Sequence, residues 1–398
     1  MSNADASPIT TDVIDLLVDL VGIESVNPAL DPRVDPAGEQ AIVDAVASHL
    51  RSLGLEPVLQ DVDDGRCNVL AEVPGTLGDA VEGPTMVVLE SHLDTVTLPR
   101  IPAPVRVADG RVWGRGSCDT KASAAAMLVA IEQLLADPRP RPPLLFAGVV
   151  DEEYVMRGAE TLLASVSEAA GIIIGEPTEL LPIRAHNGCI RFEIVVHGST
   201  AHTSLAHLGV NAVTSAAVML TELDRDLGTT LATRPHVLTG VGLLTATEIL
   251  GGTAPNVVPD ECVVRFDRRL TPAETPESAL AEVDTVLDRL RSQSMQITRA
   301  DPWLEFGSVE TPADHPLIRA TERACREVLD RDDVISTGVP YCTDASKLGG
   351  LPAVVVGPGS IAQAHTPDEW VEIDQVRAAV DLYREAVIAM GAILIDGD

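Results

Sequence analysis

The chain has 398 residues, 45% hydrophobic and 22% charged, a balance that suits a globular protein of two domains. Its 60 acidic and 28 basic residues give a net charge of −32, and no Lys/Arg cluster stands out, which argues against nucleic acid and anionic membranes as partners. Aromatics are only 3% of the chain, so no stacking platform for nucleic acid is expected. Cys67, Cys118, Cys189, Cys262, Cys325 and Cys342 form no CxxC pair and read as free thiols in a reducing compartment. The N-terminus lacks the basic start and apolar stretch of a secretory signal, and no run approaches the ~18 apolar residues of a membrane span. A cytoplasmic protein is expected.

TTDVIDLLVDLVGIES has helical periodicity, with Thr10 or Thr11 as candidate cap. EQAIVDAVASHLRSLG reads as a second amphipathic helix, stopped by Gly54. Strands and helices then alternate: CNVLAEV, TMVVLES, the helix KASAAAMLVAIEQLLAD, LLFAGVV, the helix RGAETLLAS and GIIIGE. This order predicts an α/β domain, a mainly parallel sheet flanked by helices. After Pro182 the pattern changes. CIRFEIVVHG, the helix LGVNAVTSAAVMLTELDRDLG, strands near HVLTGVGLLTATEI and ECVVRFDRRL, a helix from Pro276 to about Ser292, and MQITRA give the order β-α-β-β-α-β. That is the split βαβ (ferredoxin-like) motif, expected as an inserted α+β domain over 183–301. The first domain, residues 1–182, resumes over 302–398 with a helix from Pro316, a strand at PAVVVG and a last helix through VRAAVDLYREAVIAM.

Three apolar runs end abruptly on groups that bind metals: His92 and Asp94 after MVVLES, Asp151, Glu152 and Glu153 after LLFAGVV, and Glu176 after GIIIG. In open α/β sheets, sites form at the carboxyl ends of parallel strands. A lone HxD is more often a core histidine with a carboxylate neighbour, but Asp94 could also orient the ring of a ligating His92. Asp119, in GRGSCDTK, could be a helix cap or a carboxylate that bridges two cations. Glu152 and Glu153 are adjacent on an extended segment and point opposite ways, so one can coordinate while the other carries protons. Glu176 in GEPT and His365 in GPGSIAQAHTPDEW add a carboxylate and an imidazole beyond strands. Together His92, Asp119, Glu153, Glu176 and His365 suit a dinuclear zinc-type site.

HLDTV, GRGSCDTK, DEE, GEPT, HGSTAHTSLAHLGVNAV, GGTAPNVVPDECVVRFDRR and GPGSIAQAHTPDE occur in that order. Over nearly the whole chain this resembles the acetylornithine deacetylase / succinyl-diaminopimelate desuccinylase family of dinuclear zinc metallopeptidases, which includes aminoacylases and carboxypeptidases. The resemblance implies a zinc-exopeptidase-like catalytic domain and an inserted lid and dimerisation domain. It makes Asp119 the bridging ligand, with His92 and Glu176 on one metal and Glu153 and His365 on the other. Glu152 becomes the general base and Asp94 the residue that orients His92. His202, in HGSTAH, is implied to steady the oxyanion in the site of a partner subunit. Asn256 and Arg269 match positions that contact substrate, and Thr343 and Asp344 fall in a segment that lines it. A cis peptide after Asp119 is also expected. Two departures stand out. Ala122 follows Lys121 where the family commonly has glycine, and LPRIPAPVRV replaces the usual Trp-Pro-Phe type segment near the substrate pocket.

The implied activity is hydrolysis of the amide of an N-acyl amino acid, with two zinc ions per subunit (Co or Mn fit the same ligands) in a homodimer. N-acetylornithine, giving ornithine and acetate, ranks first, because GPGSIAQAHTPDEW resembles that branch. N-succinyl-diaminopimelate ranks second and a di- or carboxypeptidase substrate third. A metal-binding scaffold without catalysis is the alternative from another class, and the presence of both Glu152 and His202 argues against it.

Overall fold

A computed structural model describes residues 11–35, 38–63, 65–77, 81, 83–97 and 104–396. Thr10 and residues 98–103 of the LPRIPAPVRV segment lie outside them. The chain divides into two compact units, one of residues 1–184, 311–337 and 343–398, the other of 185–310 and 338–342.

In the first unit, four strands run parallel at the centre of the sheet. In spatial order they are Leu144–Val149, Val87–His92, Gly171–Ile174 and Ala353–Val355. The first three are buried along their whole length, which explains the apolar runs LLFAGV, GIII and VVL, the last of them followed by the buried Glu90, Ser91 and His92. Arg66–Val73 and Val58–Asp63 extend the sheet antiparallel beyond Leu144–Val149. The exposed VLQDVD strand has no clean alternation, which is why pattern reading passes over it. A separate three-stranded sheet of Trp370–Glu372, Arg111–Trp113 and Arg106–Ala108 was also not expected. Its strands are three residues long, too short to carry a period.

Helices flank the large sheet. Val13–Val21 is capped by Asp12, whose carboxylate accepts the Ile14 N–H at 2.8 Å, rather than by Thr11. The Thr11 N–H instead meets the carboxylate of Glu132 at 3.2 Å. Gln40–Ser52 ends before Gly54, which sits at φ 81°, as the glycine stop predicts. Lys121–Ala136 is an interior helix, and its small residues Ala122, Ala124, Ala125 and Ala126 are wholly buried. Lys121 is itself buried and donates to the carbonyls of Leu20 (3.1 Å) and Ile23 (2.7 Å), tying this helix to the end of the first. Burial lowers its ammonium pKa to about 7. Pro316–Leu329 and the long Ile373–Asp396 complete the layer. No helix among the described residues is long and apolar enough to cross a membrane.

The second unit is an antiparallel sheet in the order Leu243–Gly251, Glu261–Leu270, Gly188–His197, Gln296–Arg299. The helices Ala212–Leu223 and Pro276–Ser292 bury Ala216, Met219, Leu223, Val283 and Leu287 with Phe192, Ile194 and Phe266 of the strands. This is the split βαβ order expected. Two elements are shorter than predicted. Residues 236 and 240 close a turn ahead of the edge strand, so only Leu243–Gly251 is extended. The first helix starts at Ala212, where the Asn211 side chain accepts the Thr214 N–H, and the chain before it coils separately over Thr203–Leu208.

His186 in this unit is 1% exposed; its Nδ1–H donates to the Asn187 carbonyl, and its Nε2 has no partner. Burial therefore lowers its pKa from 6.5 to about 4. The unfolded chain binds this proton first as pH falls, so stability from His186 is full above pH 6.5 and lost on descent to about 4. At about 1.4 kcal/mol per pH unit, the loss is roughly 3 kcal/mol. Urea unfolding of wild type and His186→Gln at pH 7 and pH 4.5 checks this, and the wild type should lose the extra stability.

Candidate active site

Because the central strands are parallel, their carboxyl ends lie together. Val87–His92 ends on His92, Leu144–Val149 leads to Asp151, Glu152 and Glu153, Gly171–Ile174 leads to Glu176, and Ala353–Val355 leads through a glycine-rich turn to His365. Asp119 arrives from the Gly114–Asp119 loop. It does not cap the following helix, whose cap position is Thr120, and the Asp119–Thr120 peptide is cis as expected.

Two triads share Asp119. His92, Asp119 and Glu176 bring one ligand atom each within 4.8 Å of one another, and so do Asp119, Glu153 and His365. His92 Nε2 lies 3.1 Å from Asp119 Oδ1 and 3.8 Å from Glu176 Oε1. His365 Nε2 lies 3.3 Å from Asp119 Oδ2 and 3.0 Å from Glu153 Oε2. The two oxygens of Asp119 thus serve different triads, as a bridging carboxylate must. His92, Asp119 and Glu176 are 2%, 7% and 6% exposed.

Asp94 is fully buried and organises three of these groups. Its Oδ1 accepts the Glu152 N–H and its Oδ2 the Glu153 N–H, both at 3.1 Å, while His92 Nδ1 lies 3.0 Å from the Asp94 backbone carbonyl and 3.4 Å from Oδ1. The Glu152 carboxyl belongs to neither triad and has no hydrogen bond among the described residues. Burial, together with Asp344, Glu153 and Asp119 against the opposing pull of His92, holds its pKa well above the ordinary glutamate value. Glu176 is raised for the same first reason, while hydrogen bonds to Asp119 and Glu153 lift His365 to about 10.

The residues fit divalent cations. Three carboxylates meet two imidazoles in a largely buried space, and among the described residues the Glu153 Oε1 atom is buried without a partner. Buried anions in such excess call for positive charge, and mixed imidazole–carboxylate ligation is what zinc-type ions accept.

Glu369, which pattern reading did not single out, is 3% exposed and clamps the loop that carries Asp119. Its Oε1 accepts the N–H groups of Cys118 (2.9 Å) and Asp119 (3.0 Å); its Oε2 accepts the Gly116 N–H (3.0 Å) and pairs with Arg115 (2.7 Å). The available signal was an acid four residues after His365, in HTPDEW. Glu369→Gln puts an NH2 against one pair of these donors and leaves the Arg115 charge with only the Thr366 carbonyl, so about 3–5 kcal/mol of stability should be lost. Urea unfolding measures it, and unchanged stability would show the clamp to be idle.

Thr343 accepts the Ala345 N–H through its hydroxyl, and Asp344 is 1% exposed, with burial and the Glu90 carboxyl raising its pKa. In the second unit, His202 is exposed, and its Nδ1 accepts the Ser204 N–H at 3.2 Å. Asn256 lies on an exposed turn, its carbonyl accepting the Thr203 N–H at 3.1 Å. Of the two adjacent arginines, Arg268 is fully buried and pairs with Glu274, whereas Arg269 is partly exposed and pairs with Asp267 at 2.7 Å.

Residues 88–389 match the model of peptidase family M20/M25/M40. The chain is 30% identical to an acetylornithine deacetylase of Yersinia pseudotuberculosis, with 94% of this chain and 96% of the relative covered. Aminopeptidase PepT from Bacillus cereus superposes with a TM-score of 0.76 at 19% identity, over 95% of this chain and 98% of that one. A dinuclear metal-binding peptidase of Bacillus subtilis gives 0.70 at 17%, over 96% and 97%. The chain is a hydrolase, a member of peptidase family M20/M25/M40.

Proposed function

We propose that the protein is a metal-dependent amidohydrolase that splits N-acyl amino acids, with N-acetylornithine as first substrate. The observation that carries the reading is the pair of ligand triads sharing Asp119, with the Glu152 carboxyl outside both triads yet interacting electrostatically with His92, Glu153 and Asp119. His92, Asp119 and Glu176 would hold one ion and Asp119, Glu153 and His365 the other, zinc first and cobalt or manganese as substitutes. Such ions supply Lewis acidity and lower the pKa of water. Glu152 takes the proton from the attacking water and returns it to the departing amine.

His202 would donate to the carbonyl oxygen as it gains charge, in the site of a second copy. Its Nδ1 is occupied as an acceptor, so the neutral ring carries its proton on Nε2, the form a donor needs. The second copy is proposed from the edge strand Leu243–Gly251, whose free side and exposed Leu243, Ile249 and Leu250 invite pairing. Arg269 would take the substrate carboxylate and Asn256 the amide region. Thr343 and Asp344 would shape the pocket wall from within.

The curated relatives favour the deacetylase reading, and solved neighbours named as peptidases favour a second one, cleavage of a peptide bond, for which dipeptides are the simplest probe. Zinc-loaded protein assayed against N-acetylornithine, N-succinyl-diaminopimelate, other N-acetyl amino acids and dipeptides decides between them. A kcat/KM highest for N-acetylornithine supports the first reading, and one highest for a dipeptide replaces it. Two metals bound with no hydrolysis across the panel would leave a scaffold.

A further inference from the structure

Resting on the reading of His92, Glu152 and Glu153 as working groups, we propose that Asn27 is a positioning residue for the whole site. It holds Asp94, and through Asp94 it fixes the His92 ring against the Glu152–Glu153 turn. Asp151 and Arg66 anchor it from behind.

Asn27 is fully buried, and its backbone is pinned beside the strand end that bears the ligand. Its N–H donates to the Thr95 carbonyl (2.9 Å), the Thr95 N–H to the Ser25 carbonyl (2.9 Å), and the Ser25 hydroxyl to the Leu93 carbonyl (2.7 Å). The side-chain NH2 donates one hydrogen to Asp94 Oδ2 at 2.8 Å and the other to Asp151 Oδ1 at 3.1 Å. The amide oxygen accepts the Ala29 N–H at 3.0 Å. Only this amide orientation satisfies two carboxylates and one N–H, so its direction is set.

Asp94 and Asp151 are both 0% exposed, and two buried carboxylates repel. A neutral double donor between them joins the two without adding charge. Arg66 balances the outer one, lying 2.9 Å from Asp151 and 2.8 Å from Asp63. Asp151 in turn shapes the segment that follows it: its carbonyl accepts the Met156 N–H at 2.7 Å and its Oδ2 the Arg157 N–H at 3.3 Å. The Glu152–Glu153 turn is thus held at both ends, by Asp94 on the site side and by Asp151 on the far side. Among the described residues, Asn27 is the one side chain bonded to both carboxylates.

A merely structural Asn27 would act by closing its own turn through the bond to Ala29. Asn27→Asp separates the roles, because it keeps an acceptor for Ala29 and loses both donors. Metal affinity by chelator competition, kcat, KM and far-UV circular dichroism are measured for wild type, Asn27→Asp and Asn27→Ser. For Asn27→Asp the expected result is a native-like spectrum, metal affinity and kcat each lower by ~10–100-fold, and KM within about threefold. Asn27→Ser, which keeps one short donor, should fall between wild type and Asn27→Asp, and it carries the test if Asn27→Asp does not fold. Metal affinity and kcat within twofold of wild type would overturn the proposal, as would losses that follow only the folded fraction. The affinity measurement needs no substrate. A wild type inactive on every amide would therefore sink the functional reading while still testing this one.

Discussion

Glu152→Gln should lower kcat by roughly 10²–10⁴-fold, the share that a positioned acid–base group contributes, while both metals stay bound. The expectation follows from how the residue is held. Its backbone is fixed by the N–H bond to Asp94, a contact that does not involve the side chain, so an isosteric amide leaves the turn in place. Its carboxyl lies in neither ligand triad, so exchanging it removes no metal ligand. What disappears is the capacity to take a proton from water and deliver it to the amine. KM should change little, because Glu152 is not proposed to bind ground-state substrate. Metal content by elemental analysis, read beside steady-state kinetics, checks both halves. Wild-type turnover would remove Glu152 as the base, and loss of a metal would make it a ligand.

Some of this architecture was legible from the chain because burial leaves a strong pattern. Strands covered on both faces read as apolar runs, Leu144–Val149 throughout and Val87–His92 over its first three residues, and the abrupt polar residues that follow mark the approach to the site. The helix Pro276–Ser292 matches its reading from Pro276 to about Ser292, and its start is fixed by Pro276 in the first turn and a reciprocal cap between Thr275 and Ser278. Peripheral strands were not legible. Leu304–Phe306 and Trp370–Glu372 owe their extension to a partner strand, not to any local preference.

The supporting shell of the site was hidden for a related reason. Asn27 and Glu369 lie 67 and 250 residues from the groups they hold, Asp94 and the Asp119 N–H. Asparagine before proline in SVNP reads as an ordinary turn residue, and Glu369 reads as one more acid in an acidic chain. Only the fold makes them central. The choice between Arg268 and Arg269 turns on strand alternation, which sends one side chain into the core and leaves the next partly open.

Asp119→Asn should be the most damaging single ligand change, because one carboxylate serves both triads. Its Oδ1 faces His92 and its Oδ2 faces His365, at 3.1 and 3.3 Å. An amide has one acceptor oxygen and one NH2, so whichever way it turns, one triad receives a donor where a ligand atom is needed. The two sites also lose a shared negative charge, which otherwise offsets the repulsion between neighbouring cations. One ion should be lost outright and the other bound at least ~100-fold more weakly, beyond the effect of removing an outer partner. Hydrolysis should then fall to background, since neither water activation nor the orientation of the amide survives. The variant should still fold. Asp119 is held mainly through its backbone N–H to Glu369, and without cations its carboxylate lies close to Glu153 and Glu176. Removing that charge relieves like-charge repulsion even as it weakens the contacts to the two imidazoles. Metal titration of the stripped protein, with unfolding measured in the presence of a chelator, reads both effects. Two ions bound at wild-type affinity would mean that Asp119 does not bridge, and the two triads would have to be treated as separate sites.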